Sequence, residues 1–397
     1  MTAVKEQNKT LLAENKRQTN GIDFTQAPSP SFVVDERLLT KNLELLKSVQ
    51  DRTGCDILLA LKGFSMWSTF GLAKNYLAGI TSSSLFEARL GFEEFGKEVH
   101  AYAPAYAEHE IDEYLTYVDH IVFNSFDQLN KYKEKVLNHE KNISIGLRVN
   151  PGYSEVETPL YDPCYINSRL GIPVESFRPD ELDGVDGIHF HAMCEQGADV
   201  LERILVHFEE KYGQYLHQMK WINFGGGHHI TKPGYDVELL VKLINRMQDT
   251  YGVKVILEPG EAIALNTGYL VATVLDIVQN GMELAIVDSS ATCHMPDTLE
   301  MPYRAHILGS GEAGEKAYTY RLGGMTCLAG DIIGDYSFDD PLTAGDQIVF
   351  TDMAHYTMVK THMFNGVNLP SICTYNETDG IKVIRTFQYE DYRNRLS

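Results

Sequence analysis

The sequence lacks paired cysteines, an excess of positive charge and any long unbroken apolar run, and each lack excludes a class of protein. Six cysteines (Cys55, Cys164, Cys194, Cys293, Cys327, Cys373) are scattered through 397 residues with no C-x-x-C pair. A chain this long builds a core without disulfides, so they read as reduced thiols in a cytoplasmic protein. Lys and Arg number 34 against 55 Asp and Glu, a net charge of −21. That balance argues against nucleic acid or an anionic membrane surface as partner; it suits a cationic substrate, or plain solubility. The first twenty residues are polar and charged without an apolar core, so they do not read as a secretory signal. The most apolar later stretch, residues 269–287, is broken by Asp276, Gln279, Asn280 and Glu283, which rules against a membrane span. What the chain does have is core-forming material: 44% hydrophobic residues, with 22 Tyr and 17 Phe. That is more than one typical domain needs, and two domains are expected.

From residue 56 to 260 one pattern repeats: a short β-rich apolar run, a turn, then a segment of helical period. The runs are 56–61, 79–83, 99–103, 120–124, 144–149, 187–192, 221–224 and 254–257, eight in all. Ser84-Leu-Phe-Glu87 reads as a capping box opening a helix with Leu85, Ala88, Phe92 and Phe95 on one face, and Ser125-Phe-Asp-Gln128 as another. Val237, Leu240, Val241, Ile244 and Met247 recur at helical spacing before Gly252, a natural stop. Eight strand–helix units with no sign of a reversal in strand order predict a (β/α)8 TIM barrel, in spite of a long insert at 151–186. Beyond residue 263 the texture changes to short β-rich runs (271–278, 283–287, 317–322, 347–350), which read as a mostly β domain, sandwich or barrel-like. The expected division is an N-terminal arm over 1–21, strand material over 22–35 belonging to the β domain, the barrel over 36–262 and the C-terminal β domain over 263–397.

Active sites of such barrels occupy the C-terminal ends of the strands. The first run ends in Lys62, an amine at the rim of a buried strand; partly withdrawn from water, it becomes a usable nucleophile. Taken alone it also reads as a strand-end lysine reaching for solvent. The sixth run carries His189 and His191 on one face, with His191 at the rim and His189 equally readable as a satisfied interior histidine. This H-x-H, with His228-His229, invites a metal, but no carboxylate or cysteine stands at zinc-ligand spacing, so no metal is expected. Gly225-Gly226-Gly227 follows the seventh run, where this fold usually binds phosphate. Glu258-Pro259-Gly260 ends the eighth. A lysine, an imidazole, a phosphate cradle and a carboxylate at one mouth are the parts that pyridoxal 5′-phosphate requires, with Glu258 suited to the pyridine nitrogen.

With these residues the chain resembles the pyridoxal-phosphate decarboxylases of the alanine-racemase fold (fold type III), the group that acts on ornithine, arginine and diaminopimelate. The motifs that carry the resemblance are Leu61-Lys62, the His191 segment, Gly225–Gly227, Glu258-Pro-Gly260, Cys327-Leu-Ala-Gly-Asp331, and Tyr356 followed by Phe364-Asn-Gly366. Within the group the wording Ala60-Leu-Lys-Gly-Phe64, His189-Phe-His-Ala-Met-Cys-Glu195, Gly225-Gly-Gly-His228 and Asp288-Ser-Ser-Ala-Thr-Cys-His-Met-Pro296 is most similar to the carboxynorspermidine/carboxyspermidine branch. The resemblance implies that Lys62 holds the cofactor, His191 stacks on its ring and Glu258 pairs with its nitrogen. It also implies that Gly225, Gly226 and Gly227, with amides near Gly260 and Tyr356, bind the phosphate. Cys327 would return a proton to the substrate carbon and Asp331 would bind the distal amine, both entering from a second subunit, which implies a homodimer with shared active sites. Glu195, Asp297 and Glu300 are further candidates for the ammonium groups of a carboxylated polyamine. Read without the resemblance, Cys327 is a small buried hydrophobe and Tyr356 a core tyrosine.

The chain departs from many relatives in having Glu261 where they carry an arginine that reaches the phosphate. The expected reaction is loss of CO2 from carboxynorspermidine or carboxyspermidine to give norspermidine or spermidine. The alternatives are a diaminopimelate- or ornithine-type decarboxylase, an amino-acid racemase on the same scaffold, or a non-catalytic regulatory homologue.

Overall fold

The computed structural model describes residues 19–397, so most of the expected N-terminal arm lies outside the described residues. The chain separates into two compact units, Thr40–Ile263 and the residues up to Leu39 together with Ala264–Ser397. Strand β1 (Ser31–Asp35) belongs to the second of these.

In the unit Thr40–Ile263 eight strands follow: β2 (Asp56–Ala60), β3 (Gly79–Ser82), β4 (Glu98–Tyr102), β5 (His120–Phe123), β6 (Ser144–Arg148), β7 (Gly187–His189), β8 (Trp221–Asn223) and β9 (Lys254–Leu257). All neighbours pair in parallel, and β2 pairs with β9 through Asp56↔Ile256, which closes the barrel. The eight apolar runs read from the sequence are these eight strands, because a strand covered on both faces has no polar alternation to show. The barrel is plugged by side chains: Leu58, Val122, Trp221 and Ile256 form one buried cluster. Trp221 fits because two neighbouring strands offer it glycine. A Cβ on Gly187 would lie 2.1 Å from the indole, and one on Gly146 2.3 Å from it.

The helices begin where their caps indicate. Ser84 Oγ accepts from Glu87 N at 3.3 Å, Ser125 Oγ from Gln128 N at 3.2 Å, and Asp236 Oδ1 from Leu239 N at 2.9 Å. Gly252 closes the helix Val237–Tyr251 in the left-handed region, φ +70°. One expectation fails: Phe92, expected on the buried face with Leu85, Ala88 and Phe95, is exposed. The helix widens to a π turn over Gly91–Phe95, which swings Phe92 off that face. The long insert does not interrupt the barrel. Asn124 pins it to the rim, accepting from Gly171 N at 2.7 Å and donating to Arg169 O at 2.8 Å.

The other unit is built around β10 (Gly268–Asn280), followed by β11 (Met282–Val287), β12 (Tyr318–Gly323), β13 (Ile332–Phe338), β14 (Gln347–Thr351), β15 (Ser371–Asn376) and β16 (Gly380–Arg385). The strand order is β13-β12-β11-β10-β1-β15-β16, with β14 also on β10. A register shift at Val274/Asp276 divides β10. Its first half pairs with β1 and β14, its second half with β11, so one strand serves two stretches of sheet. Alternation along β10 feeds two cores, Leu270, Ala272 and Val274 to one and Tyr269 and Val271 to the other. Among the described residues no helix is long and apolar enough to cross a membrane, and all six cysteines are free.

Candidate active site

Lys62 stands in the turn just past β2, held by Leu61 N donating to Thr81 O and Gly63 N donating to Ala60 O. Because β2 closes on β9, this turn abuts the turn after β9. A Cβ on Gly63 would lie 2.9 Å from Gly260 Cα, so the two rim turns meet only as glycines. Lys62, His191 and Glu258 thereby line one cavity of about 260 Å3, shared with Tyr102, Arg148 and Arg169. Lys62 is reached by solvent in this open cavity, yet the protein around it, and then the Arg148 charge, lower its pKa; Glu258 and Glu87 pull the other way.

His191 follows β7. Its Nδ1 accepts from Gly226 N at 3.0 Å, which leaves the ring hydrogen on Nε2 and sets the ring plane. Burial first, then Lys62 and Arg148, keep this imidazole neutral. Glu258, at the end of β9, is buried. Burial alone would raise its pKa, but His189, Asn223 and Thr81 hold the carboxyl below the usual carboxylate range.

Two of these supports carry no signal in the motifs. Asn223, the last residue of β8, donates from Nδ2 to Glu258 Oε1 at 2.8 Å and accepts from Gly225 N at 2.8 Å, so it ties the carboxylate to the glycine loop. Arg148, the last residue of β6, is buried over the Tyr102 ring at 4.5 Å and has no carboxylate partner among the described residues. The signal that could have found both is alternation: each stands two residues beyond an inward position of its strand, Gly146 and Trp221. Arg169 comes from the insert.

The glycine loop departs in detail from the expectation. The amides of Gly225 and Gly226 donate to Asn223 Oδ1 and His191 Nδ1, so they hold the site together. The amides of Gly227 and Gly260 have no partner among the described residues. A Cβ on Gly226 would lie 2.6 Å from Glu258 O and 3.2 Å from His191 Cε1, so the loop is pressed against both. Glu261, which stands where many relatives carry an arginine, has His229 Nε2 3.0 Å from its Oε1. Glu195, exposed at the rim with φ +55°, places a second acid within 4.8 Å of that pair.

A further cluster, exposed Glu98, buried His100 and half-buried His120, lies nearer the opposite strand ends. The His100 and His120 rings stack at 3.8 Å and 9°, so their lone pairs run parallel instead of converging on one point.

The remaining candidates are in the β unit. Cys327, on the loop after β12, is exposed with Met325 and Leu328, not a buried hydrophobe, and its amide donates to Asn365 Oδ1 at 2.8 Å. Asp331 is buried, and its carboxylate accepts from Ser290 Oγ (2.9 and 3.0 Å), Thr292 N (3.2 Å), Thr326 N (3.1 Å) and Thr326 Oγ1 (2.7 Å). These bonds tie the Cys327 loop to the Ser290–Thr292 segment. Asp297 and Glu300 both hold the Lys360 ammonium. Tyr356 is half-buried with φ +50°.

The cavity's parts fit pyridoxal phosphate: a lysine of lowered pKa, a neutral imidazole of fixed plane, a buried carboxylate and loop amides with no partner among the described residues. Comparison with known proteins agrees. Residues 31–354 match the family described as pyridoxal-dependent decarboxylase, C-terminal sheet domain. A carboxynorspermidine/carboxyspermidine decarboxylase of Campylobacter jejuni is 45% identical over 383 residues, covering 94% of this chain and 99% of that protein. A carboxyaminopropylagmatine decarboxylase of Synechocystis is 44% identical over 375 residues, covering 94% and 96%. The crystal structure of C. jejuni carboxynorspermidine decarboxylase complexed with norspermidine superposes with a TM-score of 0.86 at 44% identity, covering 92% of this chain and 99% of that one.

Proposed function

We propose, from the premise that this chain belongs to the family of pyridoxal-dependent decarboxylases, that it removes CO2 from a carboxylated triamine, carboxynorspermidine or carboxyspermidine. The observation that carries the reading is the convergence of Lys62, His191 and Glu258 on one cavity in a chain 45% identical to an enzyme of that name.

Pyridoxal 5′-phosphate, when bound, supplies an electron sink for the negative charge that loss of CO2 leaves on the substrate carbon. The chain's own residues do the rest. Lys62, its pKa lowered by the protein around it, offers more free amine than an ordinary lysine to hold the cofactor. His191, with Nδ1 tied to Gly226, presents a flat face to the cofactor ring. Glu258, kept ionised by its donors, holds a proton at the pyridine nitrogen. The Gly227 and Gly260 amides, with Gly225 and Gly226 holding the loop in shape, receive the phosphate. Cys327 returns a proton to the substrate carbon.

The cavity supplies two arginines and only one carboxylate, already assigned to the cofactor, so the substrate's ammonium groups need acids elsewhere. Glu195 beside Glu261 offers one such place. The exposed Cys327 loop, flanked by exposed Met325 and Leu328, supports a homodimer in which a second copy covers that loop and completes the site. The six free cysteines fit a cytoplasmic enzyme.

A second reading rests on the Synechocystis relative: carboxyaminopropylagmatine as substrate, with a guanidinium in place of the terminal amine. Assaying the purified enzyme on both carboxylated triamines, carboxyaminopropylagmatine, meso-diaminopimelate and ornithine tests the assignment. Turnover is expected on a carboxylated triamine; activity confined to either of the last two would overturn it. A protein that stays colourless with added pyridoxal phosphate would mark a regulatory homologue.

A further inference from the structure

The proposed chemistry uses Glu258 and leaves its neighbour unexplained. His189, the last residue of β7, is 1% exposed, and neither ring nitrogen has a hydrogen-bond partner among the described residues. Its Nε2 lies 3.6 Å from Glu258 Oε2, while the other oxygen of that carboxylate is occupied by Asn223. Tyr102 packs edge-on against the imidazole at 5.5 Å. A buried ring with two unsatisfied nitrogens is a poor choice for packing alone, since an aromatic hydrocarbon would fill the space without stranding polar atoms. Burial, and then nearby Arg148, Lys62 and His100, keep it neutral with a pKa of about 3, so the contact with Glu258 is that of a polar donor and not of a second charge.

We propose that His189 is a positioning residue for Glu258: its Nε2–H turns to Oε2 and keeps the carboxylate the weaker base of the pair it forms with the cofactor's pyridine nitrogen. The inference rests on the cofactor reading above and adds a residue to it. A carboxylate and a pyridine nitrogen share one proton, which goes to the more basic partner. Every donor to the carboxylate lowers its basicity. With Asn223 on one oxygen and His189 on the other, the proton stays on nitrogen and the ring keeps its positive charge; without His189 the proton moves toward Glu258 and the sink weakens. Thr81, Lys62, Arg148, Tyr102 and His100 also face the pair and are unchanged by substitution at 189.

The test loads the full-length enzyme with pyridoxal phosphate labelled with 15N in its ring and reads the nitrogen shift by NMR, in wild type, His189→Phe and His189→Gln. The wild type is expected to show a protonated nitrogen and His189→Phe a shift toward the unprotonated value. In His189→Phe kcat falls about ten- to hundredfold, the worth of one hydrogen bond to a charged group, with KM little changed. His189→Gln, which keeps a donor near the Nε2 position, restores the shift. Wild-type imidazole resonances locate the ring proton independently of any variant. A proton on Nδ1, an unprotonated pyridine nitrogen in wild type, or a His189→Phe enzyme with unaltered shift and kcat would each overturn the proposal. Failure of the wild type to take up the cofactor would overturn the underlying cofactor reading, and with it this inference.

Discussion

Asp331→Asn separates two roles that the Cys327–Asp331 motif leaves confounded: binding the substrate's distal amine and bracing the loop that carries Cys327. One oxygen accepts from Ser290 and Thr292, the other from Ser290 and from both the amide and the hydroxyl of Thr326. Asparagine keeps an acceptor for the first set and turns an NH2 group against Thr326 N, leaving that buried donor unpaired. Two bonds to a carboxylate are lost at about 1.5–3 kcal/mol each, so the unit should lose about 3–6 kcal/mol of stability. That is a large fraction of a typical folding free energy. Denaturant melts at matched cofactor loading measure it. Steady-state kinetics then discriminate: a loosened Thr326–Cys327 loop lowers kcat, because the thiol no longer meets the substrate carbon, and leaves KM for the triamine within a few-fold. Loss of an ammonium ligand would instead raise KM steeply at nearly constant kcat. An Asp331→Asn enzyme of wild-type stability with a KM raised a hundredfold would refute the bracing role.

Lys62→Ala should abolish the visible absorbance of bound cofactor and all turnover while circular dichroism stays unchanged; normal turnover would overturn its role. The protein around the amine, followed by Arg148, depresses the Lys62 pKa, and only the free amine attacks a carbonyl, so cofactor uptake by the apoprotein should rise with pH through a midpoint below the ordinary lysine value of about 10.4; stopped-flow rates with the midpoint at or above that value would contradict that argument. Gly187→Ala sets a Cβ 2.1 Å from the Trp221 indole and should cost about 1–3 kcal/mol by overpacking, or more, read as a lower melting temperature. Gly227→Ala, at φ +83° and with its Cβ 2.1 Å from Met193 O, should weaken cofactor affinity at least about tenfold, measured by equilibrium titration, and unchanged affinity would remove Gly227 from the phosphate cradle.

The barrel was legible because its strands are covered on both faces, and Asp56–Ala60 or Lys254–Leu257 can then be read as apolar runs between turn signals. In the β unit the same rule weakens. Gly334 and Asp335 interrupt β13, and the half-exposed β15 and β16 show no clear pattern, so these three strands were missed. At the site, the rim position of Lys62, His191 and Glu258 follows from strand ends alone. What the sequence hides is partnership across distance. Nothing near Gly225 or Gly226 shows that their amides are consumed by Asn223 and His191. Asp331 meets Ser290 and Thr292, about forty residues earlier, and its spacing from Cys327 says nothing of them.

The distribution of charge bears most directly on what the site can accept. A chain of net charge −21 draws polycations toward it, yet the cavity is lined by Lys62, Arg148 and Arg169 against Glu258 alone. A triamine could not place its ammonium groups among those cations. The end it can place there is the one bearing a carboxylate, and Arg148, buried with no carboxylate partner among the described residues, sits where such an anion, or the cofactor's own oxygens, would be met. On the proposed reading the ammonium-bearing remainder runs outward, toward the rim acids Glu195 and Glu261. A cation-lined cavity beneath an acidic rim thus selects for a molecule that is anionic at one end and cationic along its length. On this reading the length of the amine arm, which sets how far the ammonium groups extend beyond the cavity cations, should decide the substrate more than the chemistry at Lys62.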